Sequence, residues 1–430
     1  MAINRRNFLG AGLAAGASVL TGRCDDSAMR PDSRLVGKKW MGWTKGHFQI
    51  HSIYTGVGES LYLIFPDGTS ALIDCGDWPA VKRGKLAVPV LPNSDTHAGE
   101  WIARYIERVN PMPPEVGYMI VSHFHSDHTG IESWAKPKPP DFPDNGGCAR
   151  SGFALVAEKV KFLRAIDRGW PDYNQPLVID KDGAEELAHM KKVYAWLQKR
   201  DGLHIERIRL GATDQIVPLH DRKSYPDFEV KNICGNGLIF RMDGTVDDSL
   251  YLRYKNTGRK SENAMSMGHI FRYGAFSFFT AGDFSHYLKN DDGTVCAIED
   301  VLSEAVGKVQ VAKVNHHGHW SMPKKLVGAL QARVWLACVW DQLHILSPVA
   351  EVLADRSIYP GKRMICPGVF TAERRAEDKG KPWTKDVPKA LYEGSHMIFD
   401  VPPGGTTYTM SVIPAKDESM TVSAVFGFRS

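Results

Sequence analysis

Alternation of apolar and polar residues divides the chain into short predicted strands with occasional helices between them. Residues 48–54 alternate in this way, and apolar runs at 60–65 and 71–74 flank the turn Pro66-Asp67-Gly68-Thr69. Two apolar runs around such a turn predict a β-hairpin, because Pro and Gly adopt the backbone angles that a tight turn requires. Residues 98–109 instead place apolar side chains three and four positions apart, which predicts an amphipathic helix.

Further strands are predicted along most of the remaining chain. Their apolar runs lie at 118–122, 205–210, 228–233, 238–242, 266–272, 276–281, 309–314, 334–339, 364–365 and 396–427. The segment 131–205 departs from this rhythm, because it begins with a Pro-rich stretch and contains helical patterns near 153–168 and 183–200. We expect it to be a helical insertion that walls a site. Because no repeat and no later linker interrupts the chain, residues 29–430 are predicted to form one α/β domain.

The N-terminus, residues 1–28, predicts an export signal and a linker. Arg5-Arg6 precedes Phe8-Leu9 and a weakly apolar stretch at 10–20, which is too short to span a membrane comfortably. Paired arginines in this position resemble a twin-arginine signal, which a receptor of the export machinery reads on folded proteins. We therefore expect a periplasmic or cell-envelope location. A lipid anchor at Cys24 stays open, because Arg23 stands where a small residue is expected.

Composition excludes some classes of function. The formal net charge is +4 over 430 residues, and basic residues form only short clusters, so a long nucleic-acid track is not supported. The seven cysteines are dispersed without a Cys-x-x-Cys pair, which argues against a zinc ribbon or a thioredoxin-type site. Charge and cysteine content therefore do not identify a binding partner.

Four potential metal ligands lie within six positions directly after the strand predicted at 118–122. They are His123, His125, Asp127 and His128. In an extended segment His123 and His125 project to the same side, so two imidazoles can share one ion. Asp127 and His128 lie on the following turn and can serve a second ion. Two ions about 3.5–4 Å apart can hold a bridging hydroxide that is nucleophilic at neutral pH. The segment therefore predicts a two-metal hydrolytic centre.

Two further strand ends carry the other ligand types that this centre needs. Asp283 follows the strand at 276–281 and offers a bridging carboxylate, and His316 or His317 follows the strand at 309–314. We expect His316 to be the ligand because it is nearer the strand end. Strand ends converge on one edge of a sheet, where α/β folds place their chemistry. Imidazole and carboxylate donors favour Zn2+, with Mn2+ or Fe2+ as alternatives.

The run His-x-His-x-Asp-His after a buried strand resembles the hallmark of the metallo-β-lactamase superfamily. The resemblance extends in order to 71–76, 262–266, 273–274, 280–283 and 315–318, which look like the branch that includes the hydrolase domain of DNA-uptake competence proteins. It implies an αββα sandwich, two mixed sheets flanked by helices, with two ions at one sheet edge. It also implies a structural role for Asp74, before Gly76, and metal ligation by His123, His125, Asp127, His128, Asp283 and one of His316 and His317.

One ligand of the usual set is unaccounted for. Many members of the superfamily carry another histidine between the hexapeptide and the bridging aspartate, and none of the candidates here has a motif around it: His189, His204, His220 and His269. We assign none of them, so the first ion could be held by His123, His125 and Asp283 with water. His344 follows a predicted strand and could contact a substrate or a leaving group, although a surface loop histidine is an equal alternative.

We therefore expect a metal-dependent hydrolase in which a metal-bound hydroxide attacks a phosphorus or carbonyl centre. Asp127 and Asp283 are the expected catalytic carboxylates, with Asp127 or a metal-bound water passing a proton to the leaving group. The resemblance favours a phosphodiester or another small ester. The alternatives are a lactonase or β-lactamase-like hydrolase of a carbonyl substrate and a non-catalytic binding module on the same fold. A di-iron oxidoreductase is less favoured, because those relatives place a carboxylate where His125 stands.

Overall fold

The structure is a computed structural model, and it describes residues 33–78, 87–131, 146–174, 183–250, 261–285, 288–289, 295–296 and 298–430. The predicted export signal, with Arg5, Arg6 and Cys24, lies outside the described residues. Within the described residues, no helix combines the length and the apolar character needed to cross a membrane.

The first half of the chain builds most of one sheet. Its strands are β1 (Phe48–Ser52), β2 (Leu61–Ile64), β3 (Ser70–Ile73), β4 (Glu115–Ile120), β5 (Lys161–Asp167) and β6 (His204–Arg207). β1, β2 and β3 are antiparallel neighbours, as the Pro-Asp-Gly turn predicts, and β3, β4, β5 and β6 are parallel.

The second half builds the other sheet and then returns to the first. Its strands are β7 (Phe228–Gly235), β8 (Leu238–Phe240), β9 (Val246–Asp247), β10 (Gly268–Tyr273), β11 (Phe276–Thr280), β12 (Leu288–Lys289), β13 (Val295–Cys296), β14 (Val311–Lys313), β15 (Val334–Ala337), β16 (Met364–Pro367), β17 (Ser395–Val401), β18 (Thr407–Pro414) and β19 (Ala424–Arg429). The first sheet has the order β19-β18-β17-β1-β2-β3-β4-β5-β6, and the second β16-β15-β14-β11-β10-β7-β8-β9. β12 and β13 pair only with each other.

Helices cover the outer faces of the two sheets. They are α1 (Ala98–Val109), α2 (Ser126–Thr129), α3 (Phe153–Ala157), α4 (Ala184–Asp201), α5 (Ile298–Leu302), α6 (Lys324–Leu330), α7 (Ser347–Ala354) and α8 (Ala372–Glu377). The predicted αββα sandwich of two mixed sheets flanked by helices is confirmed. One apolar cluster packs between the sheets, and two others pack between a sheet and its helices.

Aromatic rings fill the space between the sheets. Phe48 of β1 packs edge-on against Phe228 of β7, with 5.2 Å between ring centroids, and stacks on Phe271 of β10 at 6.2 Å. All three side chains are at most 7% exposed. This core fixes the two sheets against each other, because interiors pack at crystal-like density and deform little.

The strand ends that carry chemistry meet at one edge of the sandwich. β3 and β4 run parallel in the first sheet, and β11 and β14 run parallel in the second. Their carboxyl ends lead into Asp74, His123, Asp283 and the loop at 315–318 respectively. The fold thus brings residues more than two hundred positions apart in sequence to a common edge.

The helical prediction near 153–168 was wrong over Lys161–Asp167, which forms β5. Residues 161–167 pair in parallel with β4, and Phe162, Ala165 and Ile166 are buried there. The open edge of β4 offers a full set of backbone hydrogen bonds, which outweighs a local helical pattern. The segment 131–205 therefore contributes a strand to the first sheet as well as α3 and α4.

Candidate metal centre

The turn at 123–128 leaves β4 and passes through α2 in close contact with neighbouring loops. The carbonyl of Asp127 accepts a hydrogen bond from Glu59 N at 2.8 Å. A Cβ atom on either Gly58 or Gly76 would lie 2.1 Å from that same oxygen, so both positions require glycine. The loops that follow β1 and β3 thus fix the path of the hexapeptide.

A buried group of imidazole and carboxylate atoms lies at this turn. Asp283 Oδ2 is 3.1 Å from His128 Nε2 and 3.1 Å from His317 Nε2. Asp127 Oδ2 is 3.2 Å from His317 Nε2. Ligand atoms that share one Zn2+ at about 2.0–2.2 Å lie roughly 3 Å apart, so these side chains have the spacing to hold a single ion. Glu59 also offers an oxygen within 4.8 Å of ligand atoms of His128, Asp283 and His317.

The structure places His317 in this group instead of His316. His316 Nε2 lies 3.1 Å from the side-chain amide nitrogen of Asn263. We expected His316 because it is nearer the strand end, which assumes that the chain continues in extended form. Instead both histidines have positive φ, 49° and 54°, so the chain turns sharply after β14 and directs the second imidazole towards Asp283.

Asp74 orients His128. Its Oδ2 accepts a hydrogen bond from His128 Nδ1 at 2.8 Å, and the Ser122 hydroxyl and amide donate to the same carboxylate at 2.6 and 2.8 Å. A carboxylate only accepts, so Nδ1 of His128 carries the proton and Nε2 presents its lone pair to the cluster. Such a partner fixes both the tautomer and the direction of a ligating imidazole.

Two other imidazoles are oriented in the same way. The Ser122 hydroxyl hydrogen points to Asp74, so its oxygen accepts from His123 Nδ1 at 3.0 Å. The carbonyl oxygen of Cys338 accepts from His317 Nδ1 at 2.6 Å. His123 and His317 therefore present Nε2 to the centre, as His128 does, through acceptors supplied by three different strand ends.

His123 and His125 lie together on the other side of the group. His123 Nε2 is 3.2 Å from His125 Nδ1, and the ring centroids of His123 and His128 are 4.2 Å apart. The four candidates for a further histidine ligand have other partners or positions: His189 contacts Ser151 O, His204 pairs with Glu206, His269 contacts Asn232, and His220 lies in a loop. None of them joins the cluster within the described residues.

The charges in the centre are strongly coupled. Burial, together with neighbouring imidazoles, holds the pKa of His123 well below its usual range. Burial also opposes a charge on His317, but the carboxylates of Asp283 and Asp127 outweigh it and raise its pKa to about 9. Against its own burial, Asp283 has a pKa well below the ordinary value because His128 and His317 attract its negative charge. The carboxylates thus draw positive charge into the cluster.

His344 lies at the wall of the centre. Its ring stacks on that of His317, with 5.5 Å between centroids, and packs against Trp340 at 4.9 Å. Burial and the neighbouring imidazoles hold the pKa of His344 well below the usual range, so the ring is neutral. A neutral imidazole in this position can donate or accept a hydrogen bond.

Sequence reasoning missed the charged side chains that support the centre. Glu59 and Lys313 form a buried ion pair with 2.6 Å between Oε2 and Nζ. Glu262 accepts from the amide of Phe124, inside the hexapeptide, and is held bidentately by Arg168 at 2.6 and 2.7 Å. A lysine in the mostly apolar segment 309–314 was a visible signal, because a charge in a buried strand requires a partner.

One segment that contributes to this edge is similar to a known protein family. Residues 54–130 match the family model described as "Metallo-beta-lactamase superfamily". The similarity to this superfamily covers residues 54–130. The match contains Glu59, Asp74 and the whole hexapeptide.

Among solved structures, the chain is similar to a mutant of the β-hydroxylase CmlA. It has a TM-score of 0.37 and 9% sequence identity, and the alignment covers 74% of this chain and 52% of that one. The chain thus spans about half the length of this structural relative. No curated protein matches the chain.

The residues present fit the divalent metal that this superfamily implies. His128 Nε2 and His317 Nε2 are buried and make no hydrogen bond, although both face Asp283 Oδ2. Buried polar atoms in proteins are almost always satisfied, so two imidazole nitrogens that converge on one carboxylate oxygen fit the ligand set of a cation. Histidine and carboxylate donors are the types that Zn2+ and its neighbours prefer.

Replacing Asp74 by Asn is expected to weaken metal binding without unfolding the protein. The amide keeps the shape, but its NH2 group cannot accept from His128 Nδ1, so the imidazole loses the tautomer that exposes Nε2. Loss of such a partner typically lowers metal affinity about 10–100-fold. Titration of the metal-free variant with Zn2+, followed by calorimetry, measures the change.

Asp67→Asn is the matched control. Asp67 is also buried and accepts backbone hydrogen bonds, from Thr69, His220 and Asp221 at 2.8–2.9 Å, but it lies in the β2–β3 turn. It should leave Zn2+ affinity unchanged. Unaltered affinity in Asp74→Asn, or an equal loss in both variants, would contradict the role given to Asp74.

Proposed function

We propose that this protein is a metal-dependent hydrolase. The observation that carries the proposal is the convergence of His128, His317, Asp127 and Asp283 on a common point, with two of the imidazoles held by acceptors at Nδ1. Such an arrangement is costly to maintain, because it buries several ionisable groups. It is expected where a protein binds a catalytic metal ion.

We further propose two ions, with Zn2+ first and Mn2+ or Fe2+ as alternatives. Asp127, His128, Asp283 and His317 would hold one ion. His123 and His125, with Asp283, would hold the other, which then has fewer protein ligands and more water. A bound ion of this kind supplies a nucleophilic hydroxide near neutral pH and stabilises negative charge that develops during attack.

The side chains have separate tasks in this proposal. Asp127 is 8% exposed, at the boundary between the cluster and solvent, where it can receive a proton from the attacking water and return it to the leaving group. Asp283 faces both imidazoles and keeps their positions fixed. His344, at the wall, can hydrogen-bond the leaving group. No serine or cysteine nucleophile is required.

The substrate class that we favour is a phosphodiester or another small ester. Support comes from the resemblance of segments 262–266 and 315–318 to the competence-protein branch. The net charge of +4 gives no basis for a long nucleic-acid track, so a small substrate is favoured over a polymer. A carbonyl substrate, such as a lactone or a β-lactam, is the second candidate, because the same ligands suit attack on carbon.

A substrate panel on metal-loaded protein tests the reaction class. We expect hydrolysis of bis-nitrophenyl phosphate or a small ester in the presence of Zn2+ or Mn2+, and loss of activity with a chelator. His128→Ala should lower kcat by more than about 100-fold, since removing a ligand costs more than removing its partner. His204→Ala is the control, because that histidine is exposed and pairs with Glu206 at 3.0 Å.

The outcomes separate the candidates. Turnover of lactones or β-lactams without phosphodiester hydrolysis would favour the carbonyl alternative. Metal binding without turnover of any substrate would favour a binding module. Purified protein that holds no transition metal and stays inactive with added Zn2+ or Mn2+ would refute the metal-dependent hydrolase.

We also propose export through the twin-arginine route to the periplasm or cell envelope. Support comes from Arg5-Arg6, Phe8-Leu9 and the short apolar stretch at 10–20. In a bacterial host with this pathway, the full chain should fractionate with the periplasm, and the Arg5→Lys, Arg6→Lys double variant should stay in the cytoplasm. Cytoplasmic retention of the unaltered chain, or export of both proteins, would contradict the proposal.

A further inference from the structure

A buried ion pair lies directly behind the bridging carboxylate. Lys313 Nζ, at the end of β14, is 2.6 Å from Glu59 Oε2, and both side chains are fully buried. The same ammonium donates to the carbonyl of Gly282 at 2.5 Å and lies 3.7 Å from Asp283 Oδ1. Lys313 therefore contacts both the backbone before Asp283 and the side chain of Asp283.

The two carboxylate oxygens of Asp283 therefore have different neighbours. Oδ2 faces the imidazoles of His128 and His317 at 3.1 Å, whereas Oδ1 faces Lys313. At 3.7 Å the ammonium attracts Oδ1 through its charge, without a hydrogen bond, and this attraction favours the orientation in which Oδ2 faces the imidazoles. The other oxygen is then directed towards the metal ligands before any ion arrives.

The geometry points to Glu59 and Lys313 as a positioning pair for the metal centre: Lys313 holds Asp283 in its ligating orientation, and Glu59 holds Lys313. The inference rests on the proposed metal centre and goes beyond it. Glu59 acts here through its charge on Lys313 and is not itself a ligand, although one of its oxygens lies within reach of the cluster.

Two opposing effects of Lys313 make the inference testable. A positive charge beside a metal site repels the ion, so its removal alone would strengthen binding. The carboxylate left without a partner on Glu59 would also attract the ion. A positioning role predicts the opposite sign, because Asp283 loses the charge that fixes its orientation. The sign of the change in metal affinity therefore separates a positioning lysine from a bystander charge.

The experiment compares the full chain with Lys313→Met, Glu59→Gln and the double variant. Metal-free protein is titrated with Zn2+ by calorimetry, and Co2+ is substituted to record the visible absorption of the bound ion, which reports ligand geometry. We expect Zn2+ affinity to fall at least tenfold in Lys313→Met, with a changed Co2+ spectrum. The double variant should be no worse than the single variants, because the two residues act as a unit.

Arg374→Met is the matched control for the loss of a buried ion pair. Arg374 and Asp378 are as deeply buried and have the same 2.6 Å separation, but they belong to α8 and the residue after it. This control should lower Tm and leave Zn2+ affinity and the Co2+ spectrum unchanged. Should Lys313→Met not fold, Lys313→Gln carries the test, because it removes the same charge and keeps a polar side chain beside Glu59.

Each outcome has a defined consequence. Unchanged or tighter Zn2+ binding in Lys313→Met would overturn the inference, and so would loss of an ion in Glu59→Gln while Lys313→Met keeps it, because Glu59 would then be a ligand. Failure of the unaltered chain to bind Zn2+ or Co2+ would instead refute the proposed metal centre itself.

Discussion

Compensation of buried negative charge is the constraint on which this structure depends. The carboxylates of Glu59, Asp74, Asp127 and Asp283 are all at most 8% exposed and lie around one edge of the sandwich. Burying a carboxylate is tolerated only where hydrogen bonds and opposite charge replace its water. Backbone and serine donors stabilise Asp74, Lys313 faces Glu59, and imidazoles face the other two. The remaining excess of negative charge is what makes the edge suited to a divalent cation.

The fold supplies the rigidity that this arrangement requires. The groups in the cluster follow three parallel strands, β4, β11 and β14, and the aromatic core around Phe48 and Phe271 prevents the two sheets from moving apart. The backbone hydrogen bond from Glu59 to the Asp127 carbonyl fixes the hexapeptide locally. A change in spacing of even an ångström between the sheets would separate Asp283 from His128, so packing and chemistry are coupled here.

Most strands and the hexapeptide could be predicted from sequence, because each rests on a local pattern. The sandwich was expected from the resemblance of these motifs to a known superfamily. The presence of His317 in the cluster in place of His316 could not be predicted. It depends on two residues with positive φ, and the adjacent strand does not reveal their conformation. The strand at 161–167 was missed because its pairing with β4 outweighs local propensity. The role of Glu59 could not be predicted for a different reason, because its partner Lys313 lies 254 positions away in sequence (313 − 59).

We propose that a metal ion binds between His128, His317, Asp127 and Asp283. Crystals of the full chain grown with Zn2+, measured at the zinc absorption edge, test it most directly by anomalous scattering. We expect a strong anomalous peak about 2.0–2.2 Å from Nε2 of both histidines and from Asp283 Oδ2. Zinc peaks found only at the protein surface, with none inside this cluster, would contradict it.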